Sequence, residues 1–306
     1  MTKNNWIIRV AATLCIILGA GAVVVAPPAA AQDTVRLAYV EWSETVAATN
    51  MVKTVIQEKL GLGCDIIPMT ADKMWAAVAA GTVDGMVAAW LPTTHGHYYE
   101  QYQEQIVDLG PNLEGTRIGL VVPDVTVGRQ TAASGQRNEP YIDARSIEDL
   151  KKYPDKFHRR IIGIDAEAGI MERTREAMRE YGLFKYELIK GSEISMTAEL
   201  SDAIRKQKWI VVTGWEPHWM FGRWKLRFLD DPKNIFGGEE AIHTIVRTGL
   251  EKDMPEVYRF LDNFHWKPAE IEQLMIWIKE GDGLFPGEKA LRYMRYHPDQ
   301  IRSWLE

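Results

Sequence analysis

"MTADKMWAAVAAGTVDGMVAAWLP", residues 69–92, has a counterpart later in the chain, "MTAELSDAIRKQKWIVVTGWEP", residues 196–217. Both open on Met-Thr-Ala. Both continue as an amphipathic helix and then a buried strand, and both end on Trp-x-Pro. The spacing from Met69 to Trp90 differs by two residues from that between Met196 and Trp215. A helix with period near 3.6 followed by a short apolar run is the repeating unit of α/β folds. Two such units predict two α/β halves of similar build, each with a tryptophan at the C-terminal end of a strand.

Reading outward from each stretch extends the pattern. Before the first come "TVRLAYV" (34–40), a strand, and a helix that Ser43 is expected to cap and that runs to Leu60. Val46, Val52, Val55, Ile56 and Leu60 form its apolar stripe. "CDIIPMT" is a second strand, and "TRIGLVVPD" (116–124) follows the third. Around the second stretch lie "RRIIGIDA" (strand), "GIMERTREAMREYG" (helix), "YELIKG" (strand) and "IHTIVRTGL" (strand). The tail from Met254 reads as helical, with Pro268 at a helix start and Leu274, Trp277 and Ile278 facing inward. Residues 124–146 have no apolar period and read as a surface loop. Strands alternating with helices point to layered α/β structure with largely parallel sheets.

The N-terminus carries Lys3 and Arg9, then an apolar run from Ala11 to Val25, then "APPAAAQ". This is the pattern of a secretory signal peptide, read here as residues 1–32. The run is short for a membrane span. Leu14 before Cys15 is too large for a lipoprotein cleavage site. Removing residues 1–31, which hold Lys3 and Arg9 and no acid, takes the formal net charge from -6 to -8. An acidic chain without a basic stripe argues against nucleic acid. Cys64 is then the remaining cysteine, so no intramolecular disulfide can form, even in the periplasm expected for this protein.

Trp42, Trp90 and Trp215 each follow a strand, and ligands of open α/β sheets bind outside those strand ends. Indole faces attract cations, and aromatic cages take methylated ammonium groups, which have no N–H to donate. Trp219 and Trp224 are expected to pack beneath such a site. Glu41 and Glu44 flank Trp42 and could add negative charge. In "GIDAEAGIM" (163–171) the chain leaves a strand and opens a helix near Gly169, where free backbone N–H groups favour an anion. His95, five residues after Trp90, could donate to a carboxylate. The rival reading of the histidines is a metal centre of His95, His97 and His218 with Glu216. No GxGxxG, GxxxxGK[ST] or GxSxG occurs, so nucleotide binding and serine hydrolysis have no motif behind them.

"AWLPTTH", "GIDAEAGIM" and "VVTGWEPHW", in this order, resemble the glycine betaine-binding proteins of ABC importers, from about Val35 to the C-terminus. The resemblance implies a two-lobed periplasmic-binding-protein fold, type II-like, each lobe a central β-sheet flanked by helices. The lobes would be 33–118 with 240–306 returning to it, and 119–239, closing over a ligand in the cleft. It implies a trimethylammonium box of Trp42, Trp90 and Trp215, with "YVEWSE" around Trp42 the loosest match. It also implies carboxylate binding by the amides of Gly169 and Ile170 and by His95. The partners would be a small zwitterion and a membrane permease with its ATPase. No enzyme activity, cofactor or metal is expected. Two alternatives remain open: a zinc-dependent hydrolytic enzyme using His95, His97 and His218, and a ligand sensor on the same two-lobed fold.

Overall fold

Val35, Leu37 and Ala38 are buried on β1 (Thr34–Tyr39), which pairs in parallel with β2 (Gly63–Pro68) on one side and β3 (Gly85–Leu91) on the other. Every residue of β3 is buried, as expected of an inner strand covered on both faces. Between these strands run α1 (Ser43–Val55), continued by a π-helical turn at Ile56–Leu60, and α2 (Ala71–Ala79). The computed structural model describes residues 34–125 and 141–306, all within one unit, Gln32–Glu306. The export segment expected at 1–32 and most of the loop expected at 124–146 lie outside the described residues.

The second series repeats the first in space. β5 (Arg160–Ile162) pairs in parallel with β6 (Glu187–Ile189) and with β7 (Val212–Glu216), and α4 (Gly169–Glu180) and α5 (Glu193–Arg205) connect them. In both series the first strand is central, the second lies at the edge and the third faces inward. With β4 (Ile106–Pro123), β8 (Leu226–Phe228) and β9 (Glu240–Arg247), the whole sheet runs β2-β1-β3-β9-β4-β7-β5-β6, and β8 lies on β4.

The join is antiparallel, a departure from the largely parallel expectation. β4 spans Ile106–Pro123, pairs with β9 (Glu240–Arg247) up to Thr116↔Glu240, and from Arg117 pairs with β7 instead. It therefore belongs to both halves of the sheet: one of β1, β2, β3 and β9, the other of β5 to β8. The strand was expected to begin only at Thr116. Three register shifts, around Pro111 and Gly115, break its alternation, so its first part carries no period-2 signal.

Helices close the first half. α3 (Gly96–Tyr102) follows β3, and after β9 come α7 (Leu250–Asp253), α8 (Pro255–Asn263), α9 (Pro268–Glu280), α10 (Pro286–Tyr296) and α11 (Pro298–Leu305). Each of the last four begins at a proline, where the missing N–H costs no helical bond. α9 and α10 pack on α1, which is why α1 is buried nearly all round and keeps its packing face small with Ala47 and Ala48. Leu274 and Ile278 face inward as expected, while Trp277 is half-buried. The second half adds α6 (Trp219–Arg223), directly after the β7 motif.

Candidate functional site

The site is where the C-terminal ends of β1, β3, β5 and β7 meet. Trp42 precedes α1, Trp90 lies in β3 and Trp215 in β7, and all three are buried, at 6, 3 and 4 % exposure. They line one cavity together with Glu44, Gly169 and Ile170, and Thr94, Ile118, Ile164 and Ala168 complete the wall. Its empty volume is about 270 Å³ counting the mouth. The prolines after Trp90 and Trp215, Pro92 and Pro217, both follow cis peptide bonds.

Each half of the sheet fixes groups of the other. Trp42 Nε1 donates to Asp165 Oδ2 at 2.7 Å, and Trp215 Nε1 donates to Glu44 Oε2 at 3.1 Å. Two of the three indoles are thus oriented by a carboxylate from the opposite half. Tyr98 Oη donates to the Glu167 carbonyl at 3.1 Å, and His97 Nδ1 lies 3.3 Å from Glu172. Gly169 packs against Thr94 so closely that a Cβ on it would lie 2.0 Å from the Thr94 carbonyl oxygen.

Two kinds of charge share the cavity wall. Glu44 is the acid of the cavity wall, buried beside Trp215, and its pKa is pushed up to about 7 by burial and by the neighbouring Glu193. Thr45 Oγ1 and Trp215 Nε1 donate to its carboxylate. On the same wall α4 begins at Gly169, with Ala168 at its N-cap and no side-chain cap. The first N–H groups of a helix, those of Gly169 and Ile170 among them, have no carbonyl to meet within it and carry the positive end of the dipole. Aromatic walls with one acid suit a cation; the helix start suits an anion.

His95 stands behind this wall rather than on it. Its Nδ1 accepts the Trp90 N–H at 3.1 Å, which places the neutral ring's proton on Nε2. That Nε2 is buried and has no hydrogen-bond partner among the described residues. The ring packs 5.9 Å from Trp42 and 6.0 Å from Trp75, centroid to centroid. Burial, then the proximity of His97, lowers its pKa to about 3, so it is neutral.

The three histidines of the metal reading are not brought together. His95 is tied to Trp90, His97 stands by Glu172, and His218 Nδ1 accepts from the Met220 N–H with its Nε2 3.1 Å from Glu193. Glu216 pairs with Arg117. Among the described residues no group of three His, Cys, Asp or Glu is placed to hold a metal ion. Ser43 is a second correction. It is the first residue of α1 and not its cap, because its hydroxyl is turned away to Glu193 and Trp219. Glu41 is exposed and adds nothing to the wall. Trp219 is buried and Trp224 packs 5.6 Å from it, close behind the site. Asp165, Glu193 and Thr94 carried no signal in the sequence. Asp165 lies inside the quoted "GIDAEAGIM", but a lone acid after a strand is common and its partner is 123 residues away.

Comparison with known proteins agrees with this geometry. Residues 33–295 match the family described as the substrate binding domain of the ABC-type glycine betaine transport system. The glycine betaine/carnitine transport binding protein GbuC of Listeria monocytogenes is 41 % identical over 177 residues, which is 57 % of this chain and 56 % of that protein. The alignment thus spans little more than half the length of this curated relative. Lactococcal OpuAC, solved in a closed-liganded conformation with glycine betaine, is 36 % identical with a TM-score of 0.79, over 89 % of this chain and 99 % of that one. The glycine betaine/L-proline-binding protein ProX of Borrelia burgdorferi is 38 % identical with a TM-score of 0.81, over 89 % and 97 %. With nearly all of its described residues inside the matched region, the chain belongs to the family of substrate-binding domains of ABC-type glycine betaine transport systems.

Proposed function

We propose that this protein is a non-catalytic periplasmic receptor that captures glycine betaine, or a close methylated ammonium relative, and delivers it to a membrane permease driven by an ATPase. The observation that carries this reading is one cavity walled by Trp42, Trp90 and Trp215 and lined as well by Glu44 and by Gly169 and Ile170 at the start of α4. The trimethylammonium would sit among the indoles. Each face contributes roughly 0.5–2 kcal/mol, more when dry. Three together supply a large share of the roughly 8 kcal/mol that micromolar affinity needs. The carboxylate would accept from the amides of Gly169 and Ile170, while His95, behind the wall, would hold Trp90 in place through the Trp90 N–H. The two lobes would be 33–118 with 240–306, and 119–239, moving about the crossing of β4. Export by the segment 1–32 would place the receptor in the periplasm.

Intrinsic fluorescence of the purified mature protein tests the reading. Glycine betaine should saturate it in the micromolar range. Choline, which has the cation but no carboxylate, should bind at least tenfold more weakly. Trp90→Ala and Trp215→Ala should each weaken glycine betaine binding by about tenfold or more, from the loss of one desolvated π face. Wild-type affinity in both variants would remove the cage. No response to any methylated ammonium, with calorimetry in agreement, would remove the ligand class.

A further inference from the structure

We propose that Glu193, together with Ser43 and Trp219, is a latch that holds the lobes shut over the ligand without touching it. The inference rests on the receptor reading above. Glu193 is the first residue of α5, in the second half of the sheet, and it is buried. Its carboxylate accepts the Ser43 N–H at 2.7 Å and the Ser43 hydroxyl, both from the first half. From its own half, Trp219 Nε1 donates to it at 3.2 Å and His218 Nε2 stands at 3.1 Å. Trp219 Nε1 also reaches Ser43 Oγ at 3.0 Å. Lys279 of α9 sits over the Trp219 ring, 4.5 Å from its centroid. One carboxylate and one indole from the second half are therefore wedged between the start of α1 and α9.

This is not ordinary helix capping. The N-terminus of α5 is already served by Ser192, whose hydroxyl accepts the Ser195 N–H while Ser195 answers to the Ser192 N–H. The Glu193 carboxylate points instead at the N-terminus of α1. There it satisfies an N–H that the helix cannot and sets an anion at the positive end of the dipole. The start of α1 has no side-chain cap of its own. Its capping anion comes from the other lobe and is present only when the lobes meet. Burial alone would raise the Glu193 pKa, but His218 and the Ser43 donors outweigh it and hold the carboxylate in its charged form. Glu193, Ser43 and Trp219 do not line the cavity. They stand next to residues that do: Ser43 lies between Trp42 and Glu44, so seating it sets one indole wall and the acid together.

The test uses the mature chain with glycine betaine as probe and two variants, Ser43→Ala and Glu193→Gln. Both keep the cavity wall intact. The Ser43–Glu193 contact exists only in the closed form. Each variant should therefore weaken glycine betaine binding by about tenfold or more, the scale of hydrogen bonds to a charged group, chiefly through faster release. Ser43→Ala should leave the melting temperature of the unliganded protein unchanged and shrink the rise that ligand produces. A merely structural role would lower the unliganded melting temperature and keep the ligand-induced rise. Wild-type affinity in both variants overturns the latch. If the wild type itself does not bind glycine betaine, the receptor reading fails there. The latch is then decided by the distance between spin labels on the two lobes in unliganded protein. Loss of the short-distance population in the variants supports it, and an unchanged distribution overturns it.

Discussion

Gly169 is where a single atom decides between two states. It opens α4, where alanine would help the helix, yet a Cβ there would sit 2.0 Å from the Thr94 carbonyl oxygen across the site. Backbone cannot yield that distance, so Gly169→Ala must hold the halves apart. The variant is expected to melt at or slightly above the wild-type temperature without ligand, since Gly→Ala in a compatible conformation stabilises by about 0.4–1 kcal/mol. It is also expected to lose glycine betaine affinity by about a hundredfold or more, with the ligand-induced rise in melting temperature gone. Wild-type affinity by calorimetry would show that the halves need not approach this closely. At this scale the sequence was informative about which residues gather. Trp42, Trp90, Trp215, Gly169 and Ile170 are marked by strand ends and a helix start, and all line one cavity. It was uninformative about what orients them. Asp165, Glu193 and Glu44 act on partners 123, 150 and 171 residues away, and no local pattern encodes the apposition of two halves. His95 illustrates the limit: its spacing from Trp90 placed it near the strand end, but the Trp90 N–H draws its ring behind the wall.

Among the elements, the strands that carry the site are pinned from the far end by Asp84. This residue precedes β3, is fully buried, and its carboxylate accepts the Arg36 N–H of β1 at 2.8 Å and Arg247 Nε of β9 at 2.8 Å. Its own backbone is bonded to both neighbours as well, Asp84 N–H to the Arg36 carbonyl and Arg247 N–H to the Asp84 carbonyl. One side chain thus staples three adjacent strands. Asp84→Ala leaves a nearly buried guanidinium without its main partner, a class of change that costs about 3–5 kcal/mol. Chemical denaturation should show the midpoint falling with the slope unchanged. A loss below about 1 kcal/mol would mean that Arg247 is adequately held by Asp253, 2.8 Å from its Nη1. Helices and parallel strands were legible because each obeys a period. The first part of β4 was not, since its bulges around Pro111 and Gly115 remove the alternation by which a strand is read. Nor was the antiparallel join legible, because it depends on β9 entering between β3 and β4, far from it in sequence.

For a receptor of the proposed kind the governing quantity is the balance between open and closed forms, which a ligand can shift only through its preference for one of them. Glu44 is then expected to make that balance depend on pH. In the closed form it is buried, and burial, followed by repulsion from Glu193, raises its pKa from 4.5 to about 7, with His218 pulling the other way. With the lobes parted the carboxyl would meet water and return to the ordinary range. The closed, empty form therefore binds a proton that the open form releases. Closure without ligand is favoured below about pH 4.5, weakens as pH rises to about 7, and is flat above that, a change of up to about two orders of magnitude in the closure constant. A methylated ammonium in the cavity favours the ionised carboxylate, so the loaded form should not share this dependence. Empty receptor would then stay open near neutrality, and closure there would report cargo. The distance between spin labels on the two lobes, followed in unliganded protein from about pH 4.5 to 8, should show the closed population falling with pH. Glu44→Gln should flatten the profile. A flat profile in the wild type would mean that Glu44 stays ionised in the closed form, its charge held by the Trp215 N–H and Thr45 rather than by a ligand.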